Sequence, residues 1–158
     1  MPHKTVFIVD DDAAVRKGLA FLLRAAGYTV EAFASALSFL EGYDPRRGGC
    51  LLLDVQMPRM SGVELQQQLN VRGWRLPVLF ITGHGTVSLA IAAIKAGAFD
   101  FVEKPLREEA LLESIERALN WNDTVHEERL ERAELQARSL SDLIRMAIIL
   151  KPRLNTEE

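Results

Sequence analysis

Five short apolar runs alternate with longer segments of helical periodicity between Thr5 and Asn120. This alternation is typical of a parallel sheet whose strands are joined by crossover helices. The runs are almost continuously apolar, which indicates strands that are buried on both faces. The predicted strands are Thr5 to Val9, Thr29 to Phe33, Cys50 to Asp54, Val78 to Thr82 and Phe99 to Val102.

The segments between and after these runs carry apolar residues at helical spacing, so we predict amphipathic helices there. They are Ala13 to Ala26, a short piece after Ser35, Gly62 to Val71, Val87 to Ala96 and Arg107 to Asn120. Gly27, Gly73 and Gly97 follow three of them, where a left-handed cap residue is favoured. The predicted fold class is α/β, a doubly wound five-stranded parallel sheet of the flavodoxin-like (βα)₅ type in the order 2-1-3-4-5.

The length of 158 residues fits one domain of ordinary size with an additional segment. A net charge of −3 gives no reason to expect a nucleic-acid footprint over the whole surface. Cys50 is the single cysteine, so an internal disulfide is excluded, and no apolar stretch is long enough for a membrane span or a signal peptide. A cytoplasmic protein without membrane contact is expected.

The composition becomes highly charged beyond Asn120. Thr124 and Glu127 have the spacing of a capping box, which predicts the start of another helix. Apolar residues then recur at alternating steps of three and four. They are Leu130, Ala133, Ala137, Leu140, Ile144 and Ala147. This seam fits a C-terminal linker helix that pairs with a second copy or docks on another domain, or one that is merely solvated.

Acidic residues follow two of the predicted strands. Asp10, Asp11 and Asp12 come directly after the first strand, and Asp54 ends the third. These strands are neighbours in the predicted order, and two such charges at about 5 Å repel by roughly 3 kcal/mol at an effective dielectric of 20. A hard cation such as Mg²⁺ would relieve this repulsion, because it prefers oxygen ligands. The alternative for the acidic triplet is helix capping, for which Asp12 is best placed.

Two further polar residues are expected at the same edge of the sheet. Thr82 closes the fourth strand, and Lys104 follows the fifth strand before Pro105. Alone, Thr82 fits an ordinary strand-end hydroxyl and Lys104 an exposed solubilising side chain. Together with the acids and a cation they form a set suited to phosphoryl transfer, which needs positioning and charge neutralisation. Asp54 would be the nucleophile and would form an acyl phosphate.

By its motifs the chain resembles the receiver domains of bacterial two-component response regulators, over about Thr5 to Asn120. The motifs are Phe7-Ile8-Val9-Asp10-Asp11, Leu53-Asp54-Val55-Gln56-Met57-Pro58, Ser61-Gly62, Ile81-Thr82-Gly83 and Glu103-Lys104-Pro105. The resemblance implies a non-turnover phosphoacceptor that receives its phosphoryl group on Asp54 from a sensor histidine kinase. On this view residues 1–121 form the receiver domain, 122–150 the linker helix and 151–158 a disordered tail.

The resemblance also implies roles for individual residues. Asp11, Asp54 and the backbone carbonyl of Gln56 would hold Mg²⁺, with Mn²⁺ as a substitute, and Asp10 would act largely through water. Thr82 and Lys104 would contact the phosphoryl group, and Gln56 and His84 would tune how fast it is hydrolysed. Thr82 and Phe101 would form a conformational switch. The Lys104-Pro105 peptide bond would be cis. The alternative for Phe101 is an ordinary core aromatic.

The stretch from Ile81 to Thr86 resembles the FixJ-type subgroup, in which a linker helix leads to a helix-turn-helix transcription domain. After Ser139 the sequence offers no second apolar helix pair and no basic recognition helix, which argues against DNA binding by this chain. Transcription would then be controlled through an output domain absent from it. A homodimer through the linker helix, or through the face of the fourth helix, fifth strand and fifth helix, is a further expectation.

Two other functions compete with this prediction. Asp10 and Asp12 also fit the Asp-x-Asp motif of a haloacid-dehalogenase-type phosphatase, with Thr82 and Lys104 as its later motifs. That class needs another acidic motif on a strand after the lysine, and the residues past Lys104 are helical in period. The second alternative is a receiver-like interaction module that works without phosphorylation.

Overall fold

The computed structural model describes residues 5–83 and 87–122, all within one compact unit that spans Met1–Asp123. Most of the predicted linker helix and the whole predicted tail lie outside the described residues, and so does His84. Among the residues described, no helix is both long and apolar enough to span a bilayer.

Five parallel strands form one sheet in the order β2-β1-β3-β4-β5, which confirms the predicted topology. They are β1 (Thr5–Val9), β2 (Thr29–Phe33), β3 (Cys50–Asp54), β4 (Val78–Thr82) and β5 (Asp100–Glu103). The last strand was predicted one residue too early, because its apolar run begins at Phe99. The register with β4 instead pairs Leu79 with Asp100 and Thr82 with Glu103, so hydrogen bonding carries the strand past its apolar residues.

Helices lie between and after the strands. They are α1 (Ala13–Ala25), α2 (Ala36–Gly42), α3 (Gly62–Arg72), α4 (Val87–Lys95) and a fifth helix, α5, over residues 108–122. Hydroxyl side chains cap two of them, since Ser35 accepts the Ser38 N–H and Ser61 accepts the Glu64 N–H. Gly73 ends α3 in the left-handed conformation with φ of 70°. Differences from the predicted ends are a few residues, because capping geometry decides where a helix stops.

Apolar residues cover both faces of the sheet, because successive side chains along a strand point to opposite sides. One buried cluster includes Phe7 and Phe80, and the other includes Ile8 and Leu79. The middle of the sheet is therefore closed to water on both faces. Polar chemistry is confined to the edges where the strands end, and the carboxyl ends of all five strands meet at one edge.

Candidate functional site

Three carboxylates meet at the carboxyl edge of the sheet. Val9 of β1 is in register with Leu53 of β3, so Asp10 and Asp54 follow on neighbouring strands at the same level. One carboxylate oxygen from each of Asp10, Asp11 and Asp54 lies within 4.8 Å of the other two. The structure thus brings together the carboxylates that the sequence placed at this edge, in a group able to hold a metal ion.

Asp10 is the most buried member of this acidic cluster, with 2% of its surface exposed. Its Oδ1 accepts the Asp12 N–H at 2.9 Å, whereas no hydrogen-bond donor of the described residues reaches its buried Oδ2. Burial raises the pKa of Asp10, and the charge of Lys104 acts in the opposite direction. A buried carboxylate oxygen without a donor is unfavourable alone and is a good ligand for a hard cation.

Asp54 ends β3 and is half-buried. Its Oδ1 accepts the Gln56 N–H at 3.3 Å. Burial raises the pKa of Asp54 to about 6, with a further contribution from the negative charge of Asp10, while Gln56 and Lys104 act against the shift. The fold therefore disfavours a charged Asp54, and a divalent cation beside it would remove that penalty.

Asp12 does not belong to this cluster. It is exposed, and its side chain accepts the N–H groups of Ala14 at 2.9 Å and Val15 at 3.4 Å. It is thus the N-cap of α1, with its backbone in the extended region. The capping alternative applies to Asp12, whereas Asp10 and Asp11 turn toward Asp54.

Thr82 and Lys104 are joined through the main chain at the ends of the next two strands. The Lys104 N–H donates to the Thr82 carbonyl at 2.8 Å. Thr82 is 1% exposed, so its hydroxyl lies inside the edge of the sheet, and Lys104 is half-buried. The charge of Lys104 opposes the rise in the pKa values of Asp10 and Asp54, so its ammonium acts electrostatically on the acidic cluster. The Lys104–Pro105 peptide bond is cis.

The remaining predicted site residues lie around this edge. Gln56 is exposed two residues beyond Asp54, and its main-chain N–H donates a hydrogen bond to that carboxylate. Phe101 is half-buried and packs against the core cluster that contains Phe80. Packing of this kind fits the core-aromatic alternative, and the switch role of Phe101 stays a prediction.

Two residues near the acidic cluster have structural reasons that the sequence did not supply. Arg16 donates from Nη1 to the main-chain carbonyl of Asp10 at 2.7 Å, but a cation six residues along looks like any solvated side chain in the sequence. Gly62 belongs to the Ser61-Gly62 motif, and the structure explains why glycine is needed there. A Cβ at this position would lie 2.3 Å from the Asp54 carbonyl oxygen, so only glycine lets α3 begin so close to β3.

The acidic cluster, with Thr82 and Lys104 at the ends of the next two strands, forms a polar site at the carboxyl edge of a doubly wound α/β sheet, and this site could hold a metal ion. The family model described as response regulator receiver domain matches residues 6–116. The chain therefore belongs to the response regulator receiver family.

Several known response regulators are similar to this chain. It is 50% identical over 114 residues to the response regulator protein TodT of Pseudomonas putida, covering 72% of this chain and 50% of that one. The solved response regulator StyR has a TM-score of 0.81 and 47% identity, covering 85% of this chain and 68% of that one. FixJ-N has a TM-score of 0.71 and 46% identity, covering 76% of this chain and 96% of that one. The chain spans about half the length of TodT.

Family membership weakens the phosphatase alternative, and the structure supplies the physical reason. An Asp-x-Asp reading needs Asp10 and Asp12 to act together on a substrate, whereas Asp12 is occupied as the cap of α1. Asp54 instead shares the cluster with Asp10 and Asp11.

Proposed function

We propose that this chain is a phosphoacceptor, which takes a phosphoryl group from a sensor histidine kinase onto Asp54 in the presence of Mg²⁺. The observation that carries the proposal is the meeting of three carboxylate oxygens within 4.8 Å at the carboxyl edge of the sheet. Stability alone does not favour such a group, because like charges repel and burial disfavours each charge. A bound cation would offset this repulsion, and it would allow a phosphoryl group to bind beside the carboxylates.

The residues that would hold the cation are Asp10, Asp11, Asp54 and the backbone carbonyl of Gln56. All of these ligands are oxygens, and the described residues bring no histidine or cysteine into the cluster, which favours Mg²⁺, with Mn²⁺ as a substitute. When bound, the divalent ion would neutralise charge on the phosphoryl oxygens. The unpartnered Oδ2 of Asp10 supports this fit.

In the transfer, a carboxylate oxygen of Asp54 forms a bond to phosphorus while the bond between phosphorus and the donor's leaving atom breaks. The electron pair of that bond leaves with the donor, and the product is an acyl phosphate on Asp54. The hydroxyl of Thr82 donates a hydrogen bond to a phosphoryl oxygen. The ammonium of Lys104 offsets the charge that develops there. Gln56 and His84 would tune how fast water removes the phosphoryl group.

The acyl phosphate would then shift a conformational equilibrium through Thr82 and Phe101, toward a homodimer on the face of α4, β5 and α5. Exposed apolar side chains support this surface, since Ile91 and Ile94 of α4 are 50% and 39% exposed. Control of transcription is proposed because similar proteins such as FixJ and TdiR are named transcriptional regulatory proteins. That control would require an output domain, and we do not assign DNA binding to this chain.

Intact-mass measurement after treatment with acetyl phosphate tests the phosphoacceptor proposal. The wild-type chain should gain one phosphoryl group with Mg²⁺ and none with a chelator. Asp54→Asn should not be labelled, whereas the matched control Asp44→Asn, an exposed carboxylate bound to Arg46, should be labelled like wild type. Labelling that persists in Asp54→Asn, or a wild-type chain that never gains the group, would contradict the proposal and favour a module that works without phosphate.

Sizing by light scattering with beryllofluoride, a mimic of the phosphoryl group, tests the dimer. The wild-type mass should rise toward that of a dimer on addition of the mimic. Ile94→Ser should block the rise, whereas Val71→Ser should not, because Val71 is 81% exposed on the different helix α3. An unchanged wild-type mass, or equal effects of both variants, would rule out this face.

A further inference from the structure

A single arginine of α1 is bonded to the backbone of the acidic cluster. Nη1 of Arg16 donates to the carbonyl oxygen of Asp10 at 2.7 Å, and Arg16 itself is half-buried. A hydrogen bond from a charged guanidinium is roughly twice as strong as one between neutral groups. Arg16 is therefore placed to control the turn between β1 and α1, which carries both Asp10 and Asp11.

The hydrogen-bonding groups of Asp10 are nearly all in use. Its N–H donates to the Phe33 carbonyl at 3.2 Å, its Oδ1 accepts the Asp12 N–H, and its carbonyl accepts from Arg16. Only Oδ2 has no partner within the described part of the chain. Of these bonds, the one from Arg16 is the only one made by another residue's side chain, so it alone can be removed by substitution without altering the backbone or the carboxylate.

We propose that Arg16 is a positioning residue for the cation site, an inference that rests on the proposed function. The Asp10 carbonyl and the Asp11 N–H belong to one planar peptide unit, so a bond to the carbonyl also fixes the direction in which Asp11 begins. Repulsion between the carboxylates pushes this turn away from Asp54. The bond from Arg16 opposes that movement and keeps Asp10 and Asp11 aimed at the position of the cation.

A second arginine of α1 provides a matched control. Nη2 of Arg24 donates to the carbonyl of Val30 at 3.4 Å, again across six positions of the sequence. Arg24 lies in the last turn of the same helix, on an exposed part of the surface away from the acidic cluster. Loss of Arg24 removes the same charge and a longer side-chain bond to a main-chain carbonyl of the same kind, so it controls for the loss of an α1 guanidinium away from the acidic cluster.

The experiment compares Arg16→Gln with Arg24→Gln by direct titration of the purified chain with Mg²⁺ alone. Loss of a group that orients metal ligands weakens affinity by roughly 10-fold to 100-fold. We expect Arg16→Gln to bind Mg²⁺ about 10-fold more weakly than wild type and Arg24→Gln to bind it like wild type. In the absence of Mg²⁺, the amide NMR signals of Asp10 and Asp11 should move in Arg16→Gln only.

Arg16→Lys serves where Arg16→Gln does not fold, because lysine keeps a charged donor but lacks the planar fork of arginine. The Mg²⁺ affinity of Arg16→Lys should be lower than that of wild type and higher than that of Arg16→Gln. Where Arg16→Gln does not fold, the lower reference is a chain without a Mg²⁺ site. Equal Mg²⁺ affinity in wild type and the Arg16 variants would overturn the inference, and so would equal losses in the Arg16 and Arg24 variants. A wild-type chain that binds no Mg²⁺ would overturn the proposed function itself, which is a different result.

Discussion

Neutralising Asp54 should stabilise the fold in the absence of a cation, and it should do so only above mildly acidic pH. Burial and the charge of Asp10 raise the pKa of Asp54 from 3.8 to about 6. The folded state thus favours the protonated carboxyl, and this stabilising preference is fully present below pH 3.8 and is lost as the pH rises through 6. Asp54→Asn never acquires the charge and escapes the loss.

The size of the effect follows from the shift. A rise from 3.8 to about 6 corresponds to roughly 3 kcal/mol at 1.36 kcal/mol for each pH unit. Asp54 is half-exposed, and solvent screens a charge in that position, so about 1 to 2 kcal/mol is the better expectation. Asp54→Asn should therefore be more stable than wild type by about 1 to 2 kcal/mol at pH 8, and the advantage should shrink toward zero near pH 4.

Chemical denaturation with a chelator at several pH values between 4 and 8 measures this difference. Asp44→Asn is the control of opposite sign, because the hydrogen bond from Arg46 lowers the pKa of Asp44. Its neutralisation should not stabilise the protein at any pH. Added Mg²⁺ should narrow the gap between wild type and Asp54→Asn, since ligand binding stabilises only the chain that retains the site.

Two results would refute the reasoning. In the first, Asp54→Asn is no more stable than wild type at pH 8 without a cation, which would mean that the carboxylates do not strain the fold. In the second, the variant has the same advantage at pH 4 and pH 8, which would mean that the benefit comes from the asparagine side chain and not from loss of a charge.

Four further variants test the local structure by denaturation. Asp12→Ala removes the cap of α1 and should cost about 1 kcal/mol without abolishing Mg²⁺ binding; a chain that no longer binds Mg²⁺ would give Asp12 a second role. Gly18→Ala should stabilise α1 by about 0.5 to 1 kcal/mol, because a Cβ there meets nothing within 4 Å. Gly62→Ala should instead destabilise the fold by about 1 to 3 kcal/mol, because a Cβ there meets the Asp54 carbonyl oxygen. Equal effects of the two substitutions would contradict the contact geometry. Asn122→Ala leaves a buried main-chain N–H without its acceptor at 2.9 Å and should cost about 1 to 3 kcal/mol, and a change within 0.5 kcal/mol would show that the bond is replaced.

The presence of each strand was easier to predict than its pairing partner, because a run of apolar residues can be read from the local sequence. β3 is apolar at four successive positions before Asp54, and four buried residues in a row mark a strand covered on both faces. β5 was displaced by one residue because its apolar run begins at Phe99, whereas pairing with β4 carries the strand on to the charged residue Glu103. The register between two strands cannot be seen in the sequence of either strand alone.

The acidic residues illustrate a second limit. Asp10, Asp11 and Asp12 are chemically identical neighbours, and the sequence offered capping as an alternative for the triplet, with Asp12 best placed, whereas only the family resemblance assigned the cation to Asp10 and Asp11 individually. Folding separates them, because Asp12 turns outward to the first N–H groups of α1 while the other two turn toward Asp54. The orientation depends on where the helix begins relative to the strand, which is a property of the backbone in three dimensions.

The sequence by itself determined the class of fold, the strand order and the edge at which polar side chains collect, because periodicity and the rules of parallel sheets depend on spacing along the chain. Only the tertiary structure decided which carboxylate oxygens lie close together and how deeply Asp10 is buried. It also decided that Arg16 donates a hydrogen bond to the Asp10 carbonyl. Those features arise from contacts between segments far apart in sequence or across a turn. Their strength depends on distance and burial, which exist only after folding.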